Sequence, residues 1–161
     1  MAELPVGGAR TDTAPIVLLV EDEAPNRALL KAVFARAADP RLRQATVIEA
    51  PDLATARSVV ASRRVALVLL DVRLPDGNGL TLARELRDKP AAERPRVLIL
   101  SASVLPGERE AALAAGVDRF LGKPYRPAEL VDTVLELVDL AGVPADASGN
   151  GPPDADGAAR P

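Results

Sequence analysis

The chain contains no cysteine and no histidine. The first absence removes any disulfide framework, thiol nucleophile or thiolate-held zinc. The second removes the Ser-His-Asp triad, imidazole-ligated metals and a phosphohistidine of the chain's own. Chemistry here is left to carboxylates, hydroxyls, amines and backbone. Such a donor set favours a hard divalent cation such as Mg²⁺, with Mn²⁺ able to substitute. Aromatic residues make up only 2% of the sequence, against 48% hydrophobic overall. The core must therefore be built from Leu, Val, Ile and Ala, a composition that suits Ala-rich helices packed on Val/Leu strands. Lysine is scarce too, at 3 of the 20 basic residues. No basic run makes a case for nucleic acid. No apolar run is long enough to predict a membrane span. The N-terminus lacks a basic start followed by an apolar segment, so no signal peptide is predicted and a cytoplasmic location is expected. At 161 residues, length favours one domain.

The most informative stretch is Val65 to Gly79, VALVLLDVRLPDGNG. Six apolar residues run into Asp71, as in a strand buried on both faces of a parallel sheet. The turn formers Pro75, Asp76, Gly77, Asn78 and Gly79 follow. This places a carboxylate at the carboxyl end of a strand, where open α/β sheets bind their ligands.

The rest of the chain repeats the pattern. Residues 1–13 form an expected flexible leader. A first strand, Ile16 to Val20, ends at Glu21, Asp22 and Glu23. Pro25 opens a helix whose spacing uses Leu29, Leu30, Val33, Phe34 and Ala37, and Asp39-Pro40 stops it. A short strand spans Thr46 to Glu49, and Asp52 caps a helix bearing Leu53, Ala56 and Val60. The third strand is 65–71. Asn78 caps a helix with Leu82 and Leu86 on one face. A fourth strand, Arg96 to Leu100, runs into Ser101. A helix over 106–115 stops at Gly116. A fifth strand, Val117 to Gly122, delivers Lys123-Pro124. Pro127 starts the last helix, which buries Leu130, Val131, Val134, Leu135 and Val138. Residues 142–161 are rich in Gly, Pro, Ala and Asp, and a disordered tail is expected. Five strand–helix units predict an α/β fold of the flavodoxin-like, doubly wound (βα)5 kind, with parallel strand order 2-1-3-4-5.

In that order, the strand ends bearing Asp22, Asp71, Ser101 and Lys123 are consecutive, each roughly 5 Å from the next. Adjacent carboxylates repel unless a cation or proton intervenes. A divalent metal between the acids, with lysine on the far side, resolves the repulsion.

Glu21-Asp22 after IVLLV, the pattern DVRLPDGNG from Asp71, Ser101-Ala102 after RVLIL, and Lys123-Pro124 after RFLG all occur in order, each at a strand end. Over roughly residues 14–141 this set resembles the receiver domain of two-component response regulators. The resemblance implies that Asp71 is the phosphoacceptor, taking a phosphoryl group from the phosphohistidine of a sensor histidine kinase or phosphotransfer protein. It implies that Mg²⁺ is held by Glu21, Asp22, Asp71 and the backbone carbonyl of Arg73. It makes Ser101, Ala102 and Lys123 the phosphoryl-binding residues, Phe120 the aromatic switch and Pro124 a candidate for a cis peptide bond. Two rim positions vary in the family, here Arg73 and Ser103, and Arg73 is expected to lie over the phosphoryl site and shape the access of water. The output face would be the fourth helix, fifth strand and fifth helix, roughly 105–140, and the resemblance also admits a phosphorylation-dependent homodimer. Glu23 and Asp76 read as solvated loop or helix-start charges.

The rival readings fit less well. A haloacid-dehalogenase-like phosphatase needs a carboxylic acid two residues after its Asp, and that position is Arg73, a poor proton donor. A flavin carrier on this fold needs a hydroxyl-rich loop and aromatics. Gly77-Asn78-Gly79 lacks the third glycine of a dinucleotide loop. The reading is therefore a phosphoacceptor rather than an enzyme, with two alternatives: a receiver-like interaction module that is never phosphorylated, or a fragment of a larger regulator or hybrid kinase.

Overall fold

In a computed structural model, which describes residues 14–102 and 105–141, the chain forms a parallel sheet between two helical layers. In chain order the elements are β1 (Ile16–Val20), α1 (Ala24–Arg36), the one-turn α2 (Pro40–Arg43), β2 (Thr46–Ala50), α3 (Leu53–Ser62) and β3 (Leu67–Asp71). Then come β4 (Arg73–Leu74), β5 (Gly77–Asn78), α4 (Gly79–Arg87), β6 (Arg96–Ser101), α5 (Pro106–Ala114), β7 (Arg119–Gly122) and α6 (Pro127–Ala141). The main sheet has the order β2-β1-β3-β6-β7. Counting only its own strands, this is the expected 2-1-3-4-5. The leader, the tail and Ser103 lie outside the described residues.

The strands are apolar throughout because both faces are covered. Leu18, Val20, Val68, Leu70, Val97 and Ile99 point to the layer that holds Leu53, Ala56, Leu82, Ala83, Leu86 and Ala112 of α3, α4 and α5. Val17, Leu19, Leu67, Leu69, Leu98 and Leu100 face Leu30, Phe34, Leu130, Val134 and Leu137 of α1 and α6. Side chains alternate across a strand, so one buried run serves both layers. Each fully buried Leu or Val contributes about 1.5–3 kcal/mol of burial free energy.

Most of the expected helix signals operate as read. The Asn78 side chain accepts the Leu80 N–H at 2.8 Å, and Asp52 accepts that of Thr55 at 2.7 Å. Pro25 lies in the first turn of α1, and Gly116 takes φ +88, a conformation open to glycine after α5. Three details differ. Asp39-Pro40 does not simply stop α1: it starts α2, with the Asp39 carboxylate accepting the Arg41 N–H at 2.8 Å. Leu29 is 57% exposed, because the buried stripe of α1 runs through Leu30, Phe34 and Ala37 and an adjacent residue sits about 100° round the helix. The turn after Asp71 is a two-residue antiparallel ladder, β4 with β5, pairing Arg73 with Asn78 and Leu74 with Gly77. Among the described residues no helix is long and apolar enough to cross a membrane.

Candidate functional site

The carboxyl ends of β1, β3, β6 and β7 surround a cleft of about 570 Å³. Glu21, Asp22 and Glu23 line one side, Asp71 the floor, and Ser101, Ala102 and Lys123 the other side, with Asn26 and Arg73 at the rim. The sheet order brings these residues together from 102 positions of separation along the chain. Carboxylate oxygens of Glu21, Asp22 and Asp71 all lie within 4.8 Å of one another. Repulsion among three such groups disfavours full ionisation unless positive charge is supplied.

Lys123 supplies part of it. Its Nζ lies 3.1 Å from Glu21 Oε2 and 3.8 Å from Asp71 Oδ2. Lys123 thus pairs with both acids, with Glu21 the closer. Glu21 is also the most buried acid of the set, at 3% exposure, whereas Asp22 faces solvent. Burial acts to raise the Glu21 carboxyl, but the Glu23 N–H at 3.2 Å and Lys123 outweigh it and hold the group below the usual carboxylate range. Asp71 goes the other way. Burial lifts it to about 6, Lys123 opposes the rise, and the Glu21 carboxylate adds to it. The shared lysine hydrogen-bonds Glu21 while its charge acts on both acids. Burial would lower Lys123, yet Asp71 and Glu21 together hold it above its ordinary value.

The backbone positions these groups. The Lys123 N–H donates to the Ser101 carbonyl at 2.7 Å, so the ends of β6 and β7 stay paired up to the lysine. The Lys123–Pro124 peptide bond is cis. The Glu21 N–H donates to Ala50 O at 3.1 Å, tying the acidic loop to the end of β2. The Arg73 N–H donates to Asp71 Oδ1 at 3.3 Å. Ser101 is buried in the cleft wall. Phe120 is not in the cleft: half-buried opposite Ile99 in β7, it packs on the core layer of α3, α4 and α5.

The contacts of three positioning groups escaped the sequence reading. Arg27 Nη1 donates to the carbonyls of Glu21 (2.8 Å) and Asp22 (3.1 Å), while its Nε meets Glu49 Oε1 at 3.2 Å. Glu23, an exposed helix-start charge as read, also lines the cleft and accepts the Asn26 amide at 2.9 Å. Asp76, read as a solvated loop or helix-start charge, is exposed and accepts two N–H groups at the start of α3, a helix 22 and 23 residues away. Nothing in the spacing announces the bonds of Asp76 to α3 or of Arg27 to Glu49, since those partners arrive through the tertiary fold.

A family model described as the response regulator receiver domain matches residues 17–135, most of the chain. This chain belongs to the response regulator receiver family. Among curated relatives, the receiver resembles the aerobic respiration control protein ArcA of Escherichia coli K12, at 34% identity over 124 residues. That match covers 77% of this chain and 48% of ArcA. It also resembles the cyclic di-GMP phosphodiesterase response regulator RpfG of Xanthomonas campestris pv. campestris, at 36% identity over 131 residues, covering 81% of this chain and 34% of RpfG. The receiver thus spans about half or less of the length of these relatives. Among solved structures it is similar to the receiver domain of the sensor histidine kinase PA1611 from Pseudomonas aeruginosa PAO1. The TM-score is 0.67 at 29% identity, covering 78% of this chain and 98% of that one. The PA1611 domain was solved with a magnesium ion coordinated in its active-site cleft.

Proposed function

We propose that this receiver accepts a phosphoryl group on Asp71 from the phosphohistidine of a sensor kinase or phosphotransfer protein, in a reaction that needs Mg²⁺. The observation that carries the reading is the Asp71 carboxylate at the end of β3, with Lys123 Nζ at 3.8 Å and the oxygens of two more acids within 4.8 Å. Three clustered carboxylates with one close ammonium fit a hard divalent ion. Glu21, Asp22, Asp71 and the Arg73 carbonyl are the residues to hold it. Bound there, the ion neutralises phosphoryl oxygens.

The chain's own groups account for the remaining chemistry. An Asp71 oxygen forms a bond to phosphorus as the donor's nitrogen–phosphorus bond breaks, and the imidazole takes its proton from solvent. Without the ion, burial raises the Asp71 carboxyl; positive charge from Lys123 and a bound ion would keep it ionised as the nucleophile. Lys123 offers a compact ammonium to the incoming oxygens. The Ser101 hydroxyl and the Ala102 backbone bind the phosphoryl group from the opposite wall, and Phe120 couples the site to α5, β7 and α6. That face exposes Leu105 and Leu113, which supports its use by a downstream protein or by a second copy. In this reading the chain turns over no substrate beyond gaining and losing its own phosphoryl group, and it works in the cytoplasm without nucleic acid. A second reading, the receiver segment of a longer regulator, is favoured by the half-length match to ArcA and keeps the same chemistry at Asp71.

A small phosphodonor, offered with and without Mg²⁺, tests the proposal. Wild type should gain an acid-stable, base-labile adduct only with the ion, and Asp71→Asn should gain none. Equal labelling of the variant would sink the assignment. In the same experiment Arg73→Ala should alter the lifetime of the adduct, since Arg73 lines the cleft. An unchanged lifetime would remove its role at the rim.

A further inference from the structure

The loop that carries Arg73 is held by a residue outside the cleft. β3 ends at Asp71, and the chain then folds back through β4 and β5 over Pro75 and Asp76. At the tip of this hairpin the Asp76 carboxylate reaches the start of α3. Its Oδ1 accepts the Leu53 N–H at 2.9 Å and its Oδ2 the Ala54 N–H at 3.0 Å. These are two of the donors that a helix leaves without internal partners. A third, on Thr55, is taken by the helix's own cap, Asp52. The start of α3 is thus shared between two aspartates, one local and one from the hairpin. Gly77 adds a contact from the same hairpin, close enough that a Cβ there would meet Leu53 Cδ1 at 3.2 Å. The other end of the loop is fixed at the site, where the Gly79 N–H donates to Val72 O at 2.7 Å and the Arg73 N–H donates to Asp71.

We infer that Asp76 is a positioning residue for the metal site: by anchoring the β4–β5 hairpin to α3, it sets the Arg73 carbonyl in place before the ion arrives. The inference rests on the reading of the site given above. A two-residue ladder is too short to hold its own geometry. Untethered, the hairpin would have to be ordered by the ion, and that ordering cost would be subtracted from affinity. Charge-assisted bonds from a carboxylate to helix N–H groups avoid the cost, because the donors belong to a helix already packed on the sheet. The bonds also hold the Asp76 carboxyl below its usual range, the Leu53 N–H most strongly.

The test separates positioning from plain stability. Asp52→Ala removes a cap from the same helix end without touching the hairpin. Asp76→Ala removes both tethers. Each variant of the 161-residue chain is titrated with MgCl₂, following emission of Tyr125, the single tyrosine in a chain without tryptophan. Tyr125 lines a small cavity with Glu21 and Lys123. The Mg²⁺-induced rise in unfolding temperature gives a second readout. Asp76→Ala should weaken Mg²⁺ binding about tenfold, the usual effect of losing a group that orients a metal ligand. Asp52→Ala should stay within about twofold of wild type while losing similar stability. Asp76→Asn, which keeps one acceptor oxygen, should fall between. If Asp76→Ala binds like wild type, or if both alanine variants weaken binding alike, the inference is overturned. If wild type itself binds no Mg²⁺, the reading of the site fails instead.

Discussion

Asp71 sits at a disadvantage that the rest of the site creates. Its carboxyl is pushed to about 6 by burial and by Glu21, while the lysine that could relieve it lies closer to Glu21. A folded-state value above the unfolded one means that the folded chain holds a proton which the unfolded chain has released. The stabilising contribution of Asp71 is therefore fully present below about pH 4 and is lost as pH rises through about 6. Above that window the charged Asp71 is a liability in the ion-free protein. A rise from the ordinary aspartate value to about 6 corresponds to at most about 3 kcal/mol, and solvent at the open cleft screens it to the order of 1 kcal/mol. Asp71→Asn should thus unfold about 2–4 °C higher than wild type near pH 7.5 and show no advantage near pH 4. Thermal unfolding at the two pH values, without divalent ions, checks this. A variant less stable than wild type at the higher pH would contradict the account.

At the scale of elements, the site depends on how tightly α4 begins against the end of β3. The Cβ of any other residue at Gly79 would overlap the Asp71 carbonyl oxygen and crowd Leu70. Backbone cannot yield as a flexible side chain can, so Gly79→Ala must displace either the first turn of α4 or Asp71 itself. It should cost about 1–3 kcal/mol in urea unfolding, as overpacking does, and should abolish labelling by a phosphodonor. Labelling at the wild-type rate would show that Asp71 tolerates the shift. This junction also marks where sequence reasoning reached and where it stopped. The strands were legible because β1, β3 and β6 are unbroken apolar runs that end in Glu21, Asp71 and Ser101. The caps Asn78 and Asp52 were legible because capping is local. The β4–β5 ladder was hidden among turn formers, and α2 was hidden behind a proline that stops one helix and starts the next. The bonds of Asp76 were not legible because its partners on α3 lie 23 and 22 residues away, and no local pattern carries that distance. The hydrogen bond of Lys123 to Glu21 was equally invisible, since it depends on the reach of side chains past the two strands between β1 and β7.

Across the whole molecule, charge is sorted by the direction of the sheet. The helices run antiparallel to the strands, so their C-terminal ends, which carry partial negative charge, gather at the edge opposite the cleft. Basic side chains meet them there. Arg43 Nη1 bonds the carbonyls of Ala37 and Ala38 after α1, Lys89 Nζ bonds Val60 O of α3 at 3.3 Å, and Arg87 Nη1 bonds Ala114 O of α5 at 2.8 Å. Three of these four bonds come from arginine, which gives part of the arginine excess a structural use. With those bases committed to the far edge, the cleft keeps Glu21, Asp22, Glu23 and Asp71 against Lys123 and the rim Arg73. The fold thus concentrates uncompensated negative charge where Asp71 must accept still more. A divalent ion at the site relieves this locally, whereas monovalent salt can only screen it from outside. At ten times its dissociation constant an ion bound only by the folded state stabilises by about 1.4 kcal/mol, or about 3–6 °C in a chain of this size. MgCl₂ should therefore raise the unfolding temperature of wild type well beyond NaCl at matched ionic strength. Asp71→Asn and Asp22→Ala should respond to both salts alike, because each removes a carboxylate from the set. An equal response of wild type to the two salts would mean that screening alone relieves the cluster, and that no ion is held between its acids.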